Sequence, residues 1–163
     1  MESPTHLRPI TKIIVDTREQ KPLLFENYKI KTARDKLDAG DYSLVGHDRP
    51  GDDYSLIIER KENTQELLNN ISSKWEQFVR ELELMRKYKY RFIIVCGPNN
   101  VDHLIRQGFT RMTSAFIHSQ YAKIMMDYEV PIIWADSRAN AEEQIYRICT
   151  NILKKMLNEE QQQ

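Results

Sequence analysis

Three residues in this chain have the right types and spacing for phosphodiester chemistry: Asp41, Glu59 and Lys61, set in Gly40-Asp41 and Ile57-Ile58-Glu59-Arg60-Lys61. Alternate residues of a β-strand face the same side, so Glu59 and Lys61 point together and Arg60 points away. Asp41 brings a second carboxylate to the same point. Two hard carboxylate ligands suit Mg²⁺ or Mn²⁺. A cation held there polarises a phosphate oxygen and lowers the pKa of a bound water. The ammonium beside it orients that water, helps deprotonate it, or neutralises charge in the transition state. Taken alone, the three residues read more simply as a charged strand end with a weak Glu59–Lys61 pair. Asp16-Thr17-Arg18-Glu19 is a second cluster, with three charges where an apolar run stops. Alone it reads as a polar turn or helix N-cap. Gly40 permits a tight backbone turn ahead of Asp41.

The surrounding pattern supplies elements to position these groups. Lys12 to Asp16 is a β-branched strand, and Pro22 stops it. Lys29 to Lys36 is ambiguous. Gly40 to Val45 and Tyr54 to Arg60 read as strands, and the turn formers of 46–53 make the loop of a hairpin between them. Asn63 caps a helix, with Glu66 in the capping-box position. Trp75, Phe78, Val79, Leu82 and Met85 follow helical spacing, as do Ile117, Tyr121, Ile124 and Tyr128. Arg91 to Pro98 is an apolar run closed by Gly97-Pro98, the pattern of a strand buried on both faces. Val130 to Trp134 is a last strand, with Pro131 pointing to an edge. Ser137 caps a final helix carrying the stripe Ile145, Ile148, Ile152 and Met156. Hairpin strands followed by alternating helices and strands make an α/β fold, a mixed central β-sheet flanked by α-helices. Residues 1–11 read as a leader, 12–158 as one domain and 159–163 as a polar tail.

The 163 residues balance 24 Lys and Arg against 24 Asp and Glu, for a formal charge of zero. That excludes a generic polyanion-coating protein and leaves room for an acidic site within a basic rim. No apolar run is long enough to cross a bilayer, and no secretory h-region opens the chain, so no membrane role is expected. Cys96 and Cys149 sit in apolar patterns without metal spacing and read as buried thiols of an intracellular protein, in the cytoplasm of a prokaryote or infected host cell, or in a nucleus. His47, Asp48, Asp52 and Asp53 fall in a turn-rich loop. His103 and His118 have no partner at metal spacing. Lys87, Lys89 and Arg91 alternate with Tyr88 and Tyr90, a pattern that suits base stacking but reads more simply as a solvated helix end. Trp75 and Trp134 fit the core.

In combination the clusters are far more specific. Asp16-Thr17-Arg18-Glu19, Gly40-Asp41-Tyr42 and Ile58-Glu59-Arg60-Lys61, in this order, resemble the nuclease domain of the XPF family of structure-specific endonucleases. The likeness extends through Phe78-Val79-Arg80-Glu81-Leu82, Phe92 to Val95 and Tyr128-Glu129-Val130-Pro131-Ile132, covering about Ile13 to Lys155. The resemblance implies a restriction-endonuclease-like (PD-(D/E)XK) core and a metal-dependent endodeoxyribonuclease acting at branched, flap or junction DNA. It makes Asp41 and Glu59 the principal Mg²⁺ or Mn²⁺ ligands, with the Arg60 carbonyl contributing. Asp16 and Glu19 would assist metal or water placement. Arg18 and Lys61 would contact the scissile phosphate or water, and Arg60 would hold the site through a carboxylate pair. Lys74, Arg80 and Arg111 are candidate DNA-backbone contacts. The C-terminal helices, through the Ile145–Met156 stripe, are a candidate homodimer or heterodimer surface, or else simply pack on the sheet.

One position departs from the family pattern: Gln65 stands where an Asp is usual, and the adjacent Glu66 is rotated by roughly 100° around a helix. This departure is the best support for the alternative, a non-catalytic DNA-binding or scaffold subunit of the same fold. A sequence-reading restriction-type enzyme would need a recognition insertion, which is not evident. Many members carry a tandem helix-hairpin-helix module after this domain. The sequence to Gln163 contains none, which reads as an excised domain or a compact standalone nuclease.

Overall fold

The short β-branched runs pair into one mixed sheet. A computed structural model describes residues 11–163, so all of the expected leader except Thr11 lies outside the described residues. Strands β1 (Lys12–Asp16), β2 (Lys31–Asp35), β3 (Tyr42–Leu44), β4 (Leu56–Lys61), β5 (Tyr90–Val95) and β6 (Ile132–Trp134) lie in the order β2-β1-β3-β4-β5-β6. β1 runs parallel to β2 and antiparallel to β3, and β3 is antiparallel to β4. From β4 through β5 to β6 the sheet is parallel.

Period 2 divides the strand residues between two cores. Ile14, Ile57, Ile93 and Val95 pack with residues of α1 (Thr64–Ile71), α2 (Trp75–Met85), α3 (Val101–Arg106) and α4 (Ser114–Asp127). Ile13, Val15, Tyr42, Leu44, Leu56, Ile58 and Ile94 pack on the opposite face with Ala141, Ile145, Cys149 and Ile152 of α5 (Arg138–Gln161). Burial on both faces is why β5 reads as an unbroken apolar run. Cys96 and Cys149 are buried free thiols, as expected.

Several expectations change. The ambiguous segment contains β2, an edge strand on which four of five residues are exposed, so no apolar alternation marks it. Charged, exposed side chains of this kind discourage edge-to-edge pairing. The short helix α3 carried no periodic signal. Asn63 Oδ1 accepts from Glu66 N, but Glu66 Oε2 returns to Glu62 N, one residue short of the reciprocal capping box. Pro131 immediately precedes β6, which is an edge strand as Pro131 suggested. Helix α5 runs to Gln161, so most of the polar tail is helical. Of the two readings of the Ile145–Met156 stripe, packing on the sheet holds for Ile145 and Ile152, which are buried, while Ile148 and Met156 are half-buried beside them. The exposed large apolar side chains after α3 are Phe109, Phe116, Met125 and Met126.

Candidate active site

Antiparallel pairing gathers three strand ends at one point. Val15 is in register with Tyr42, and Tyr42 with Ile58. Asp16 N donates to Asp41 O and Asp41 N to Ile58 O, each at 2.8 Å. The turn into β3 is made by Gly40 at φ +68, and a Cβ there would stand 2.6 Å from Ile57 Cγ1 and 3.0 Å from Ile58 O. Only glycine fits both the left-handed backbone and that approach, so Gly40 seats Asp41 against β4.

The alternation that divides the core also divides the charges. Asp16, Asp41, Glu59 and Lys61 continue the α1–α4 face, whereas Arg60 and Tyr42 belong to the α5 face. On the first face, Asp41 Oδ2 accepts Arg60 N at 2.7 Å and Glu59 Oε1 accepts Lys61 Nζ at 3.1 Å. Asp41 Oδ1 and Glu59 Oε2 have no hydrogen-bond partner among the described residues. Burial and then the Glu59 carboxylate push Asp41 up to about 8. Burial raises Glu59 as well, Lys61 opposes this, and Glu81 and Glu66 reinforce it. Lys61 is buried, which lowers its affinity for a proton, but Glu59 outweighs that and holds it above its ordinary value. Its ammonium also lies 5.3 Å from the Phe78 ring centroid. Two carboxylates therefore share one ammonium and remain under-neutralised.

The other face carries a clamp. Arg60 Nε donates to Glu19 Oε2 at 2.9 Å, and Tyr42 Oη donates to the same oxygen at 2.8 Å. Arg60 Nη1 pairs with Glu62, whose Oε2 also accepts Arg138 Nη1 at 2.8 Å. Arg138 Nη2 continues to Lys21 O at 2.9 Å. This chain ties α5 and the loop after β1 to β4.

The expected site residues thus separate by role. Asp41, Glu59 and Lys61 come together. Asp16, expected beside a metal, instead uses both oxygens internally: Oδ2 takes Arg18 Nε at 2.7 Å, and Oδ1 takes Leu37 N at 2.9 Å. Burial would raise Asp16, yet Arg18 and the backbone N–H groups of Leu37 and Arg18 hold it below the usual carboxylate range. Glu19, expected to place metal or water, is taken up by Arg60 and Tyr42. Arg18 is 62% exposed, and Asp41 and Glu59 add to the Asp16 pairing that raises its pKa, so its guanidinium borders the acidic pair. Arg60 pairs with the carboxylates of Glu19 and Glu62. Lys74, Arg80 and Arg111 are exposed and carry no ion pair. Lys89 lies over the Tyr54 ring and Arg91 bonds Glu129, while Lys87 is exposed, in keeping with a solvated helix end.

Sequence reasoning missed Glu62, Arg138 and Tyr42 as members of the clamp, and Glu81 as an acidic neighbour of Glu59. Tyr42 and Glu81 left a signal, as parts of the Gly40–Tyr42 and Phe78–Leu82 motifs. Among the described residues, no three His, Cys, Asp or Glu side chains gather closely enough to hold a metal by themselves. The donor set still fits Mg²⁺, which takes one or two carboxylates and completes its shell with waters and substrate phosphates.

The ERCC4 domain family model matches residues 15–148. The chain belongs to the ERCC4 domain family. Its fold is that of XPF nuclease domains: XPF from Aeropyrum pernix superposes with a TM-score of 0.65 at 19% identity, over 84% of this chain and 64% of that one. XPF from Aeropyrum pernix in complex with DNA gives 0.60 at 20%, over 86% of this chain and 65% of that one. The chain thus spans just under two thirds of the length of either solved XPF. No curated relative matches it. Among the described residues, no helix is long and apolar enough to cross a membrane.

Proposed function

We propose that this ERCC4 domain is a Mg²⁺- or Mn²⁺-dependent endodeoxyribonuclease that hydrolyses phosphodiester bonds at branched, flap or junction DNA. One observation carries the reading: Asp41 and Glu59 are crowded on one face of the sheet, each driven up by burial, with an oxygen of each unpartnered. Such a pair favours a divalent cation. The cation, when bound, supplies positive charge at a phosphate oxygen and acidifies a water. Asp41 Oδ1 and Glu59 Oε2 would hold it. Lys61, held above its ordinary value by Glu59, would orient the water or phosphate or help deprotonate the water. Arg18, anchored by Asp16, offers its exposed edge to a phosphate. Asp16 and Glu19 serve as positioning residues for Arg18 and Arg60. Phosphate contacts would fix the duplex, with shape read in preference to base sequence. The DNA complex of the related XPF supports a nucleic-acid substrate.

The test is cleavage of labelled duplex, flap, fork and four-way-junction DNA in Mg²⁺, Mn²⁺ or EDTA, with Asp41→Asn and Lys61→Ala beside the wild type. Metal-dependent cutting near the junction is expected. Each variant should lower kcat by about 10²-fold or more, the scale on which losing one transition-state contact acts. Retained binding without cutting on any substrate would favour a non-catalytic scaffold subunit, with Gln65 as the suspect departure.

A further inference from the structure

The loop after α3 presents an aromatic ring to solvent on a fixed backbone. Gly108, at φ +74, donates to Ile105 O at 3.1 Å, and Phe109 N donates to Leu104 O at 3.0 Å. These are the paired bonds of a Schellman helix ending, in which the residue after the glycine usually folds back as an apolar contact. Phe109 is nevertheless 60% exposed. Thr110 Oγ1 accepts Met112 N at 3.1 Å and fixes the next turn. The ring borders an open groove of about 400 Å³ whose other wall is one face of α1, with Gln65 and Asn69, and Ser72 at its C-terminal end. That wall starts in the first turn after the strand that ends at Lys61. No carboxylate lines the groove, and its one charged residue, Arg111, has no ion-pair partner. A chain of zero net charge therefore offers here a positive cleft with an aromatic wall and two amides.

We propose that this groove takes an unpaired nucleotide of the DNA substrate, its base stacked on Phe109, its phosphate at Arg111 and its edge at Gln65 and Asn69. Each component suits that occupant: every base has a face for an aromatic ring, and an unpaired guanidinium suits a phosphate. Amide side chains supply donor and acceptor together. Gln65 then has a substrate-facing role in the position where the family pattern has an Asp. The inference rests on the reading of the chain as a nuclease of branched DNA, so its test uses a binding signal separate from cutting.

The probe is flap DNA carrying 2-aminopurine at successive positions of the single-stranded arm, titrated in Ca²⁺. Quenching at one or two adjacent positions is expected. It should vanish in Phe109→Ala, persist in Phe109→Trp and weaken in Arg111→Gln. In Mg²⁺, Phe109→Ala should raise KM by about tenfold to a hundredfold with kcat unchanged, the range stacking of one base spans. Thermal unfolding of the exposed-site variants should match the wild type. Asp41→Asn should quench like the wild type without cutting. Phe109-dependent quenching by a protein that cuts nothing would sustain the groove and remove the nuclease. Equal quenching and equal KM for Phe109→Ala, or no quenching at any arm position, would overturn the groove whatever the cutting.

Discussion

Gly40→Ala is the substitution on which the geometry makes the firmest demand, because Gly46 provides a matched control. Both residues have positive φ, +68 and +85. A Cβ at Gly46 meets nothing within 4 Å, whereas one at Gly40 meets Ile57 Cγ1 at 2.6 Å, Ile57 Cδ1 at 2.8 Å and Ile58 O at 3.0 Å. Left-handed backbone costs a non-glycine residue roughly 1–2 kcal/mol, which is the whole expected cost of Gly46→Ala. Overpacking adds about 1–3 kcal/mol, so Gly40→Ala should lose roughly 2–5 kcal/mol. Ile57 is fully buried and the third contact is backbone, so neither moves freely. Relief would come by moving residues 40–41 away from β4, which breaks the 2.8 Å bond from Asp41 N to Ile58 O and displaces the Asp41 carboxylate. The assay is urea unfolding of both variants beside metal-dependent cleavage. Gly46→Ala should cut normally, and Gly40→Ala should lose activity even where it remains folded. Equal stability losses for the two, or normal cutting by folded Gly40→Ala, would refute the argument that a close strand approach seats Asp41.

Asp41 also makes stability depend on pH. Its carboxyl is raised from 3.8 to about 8 in the fold by burial and Glu59, so folding disfavours its charged form. The penalty is absent below the unfolded value, grows between about pH 4 and 8, and is complete above that. In EDTA, Asp41→Asn should therefore melt higher than the wild type at pH 8 and draw level toward pH 4, and added Mg²⁺ should close the gap by stabilising only the wild type. A lower melting temperature for Asp41→Asn at pH 8 in EDTA would count against the crowded pair. Arg60→Gln should cost roughly 3–5 kcal/mol in urea unfolding, because it strands the nearly buried Glu19 carboxylate. Arg60→Lys should rescue little, since a single ammonium cannot span Glu19 and Glu62. Arg138→Gln, at a pair about 40% exposed on both sides, should cost about 1 kcal/mol or less.

What the sequence disclosed and what it hid divide on one physical line. Period 2 assigns Glu59 and Lys61 to a common face, and turn chemistry predicts the hairpin that carries Asp41 to β4. Both are local, and both hold. The Glu62–Arg138 contact spans 76 residues, and no spacing rule reaches it. The same is true of Glu19: the family resemblance implies a place beside metal or water, but its partner is decided by which face Arg60 takes. β2 escaped because an edge strand with one half-buried residue needs no apolar pattern. These cases give the Glu59-Arg60-Lys61 triplet a meaning that its one-dimensional reading lacks. A strand must send its middle residue through to the far side. There Arg60 meets Glu19, Glu62 and, through Glu62, α5, while Glu59 and Lys61 face the acidic pocket. Loss of Arg60 should therefore register as a folding defect that carries activity down with it. Loss of Glu59 should register first as lost catalysis, with a smaller stability cost, because relief of the burial penalty on its own carboxylate partly offsets what Lys61 loses with its partner. A protein in which both substitutions gave the same phenotype would not be built this way.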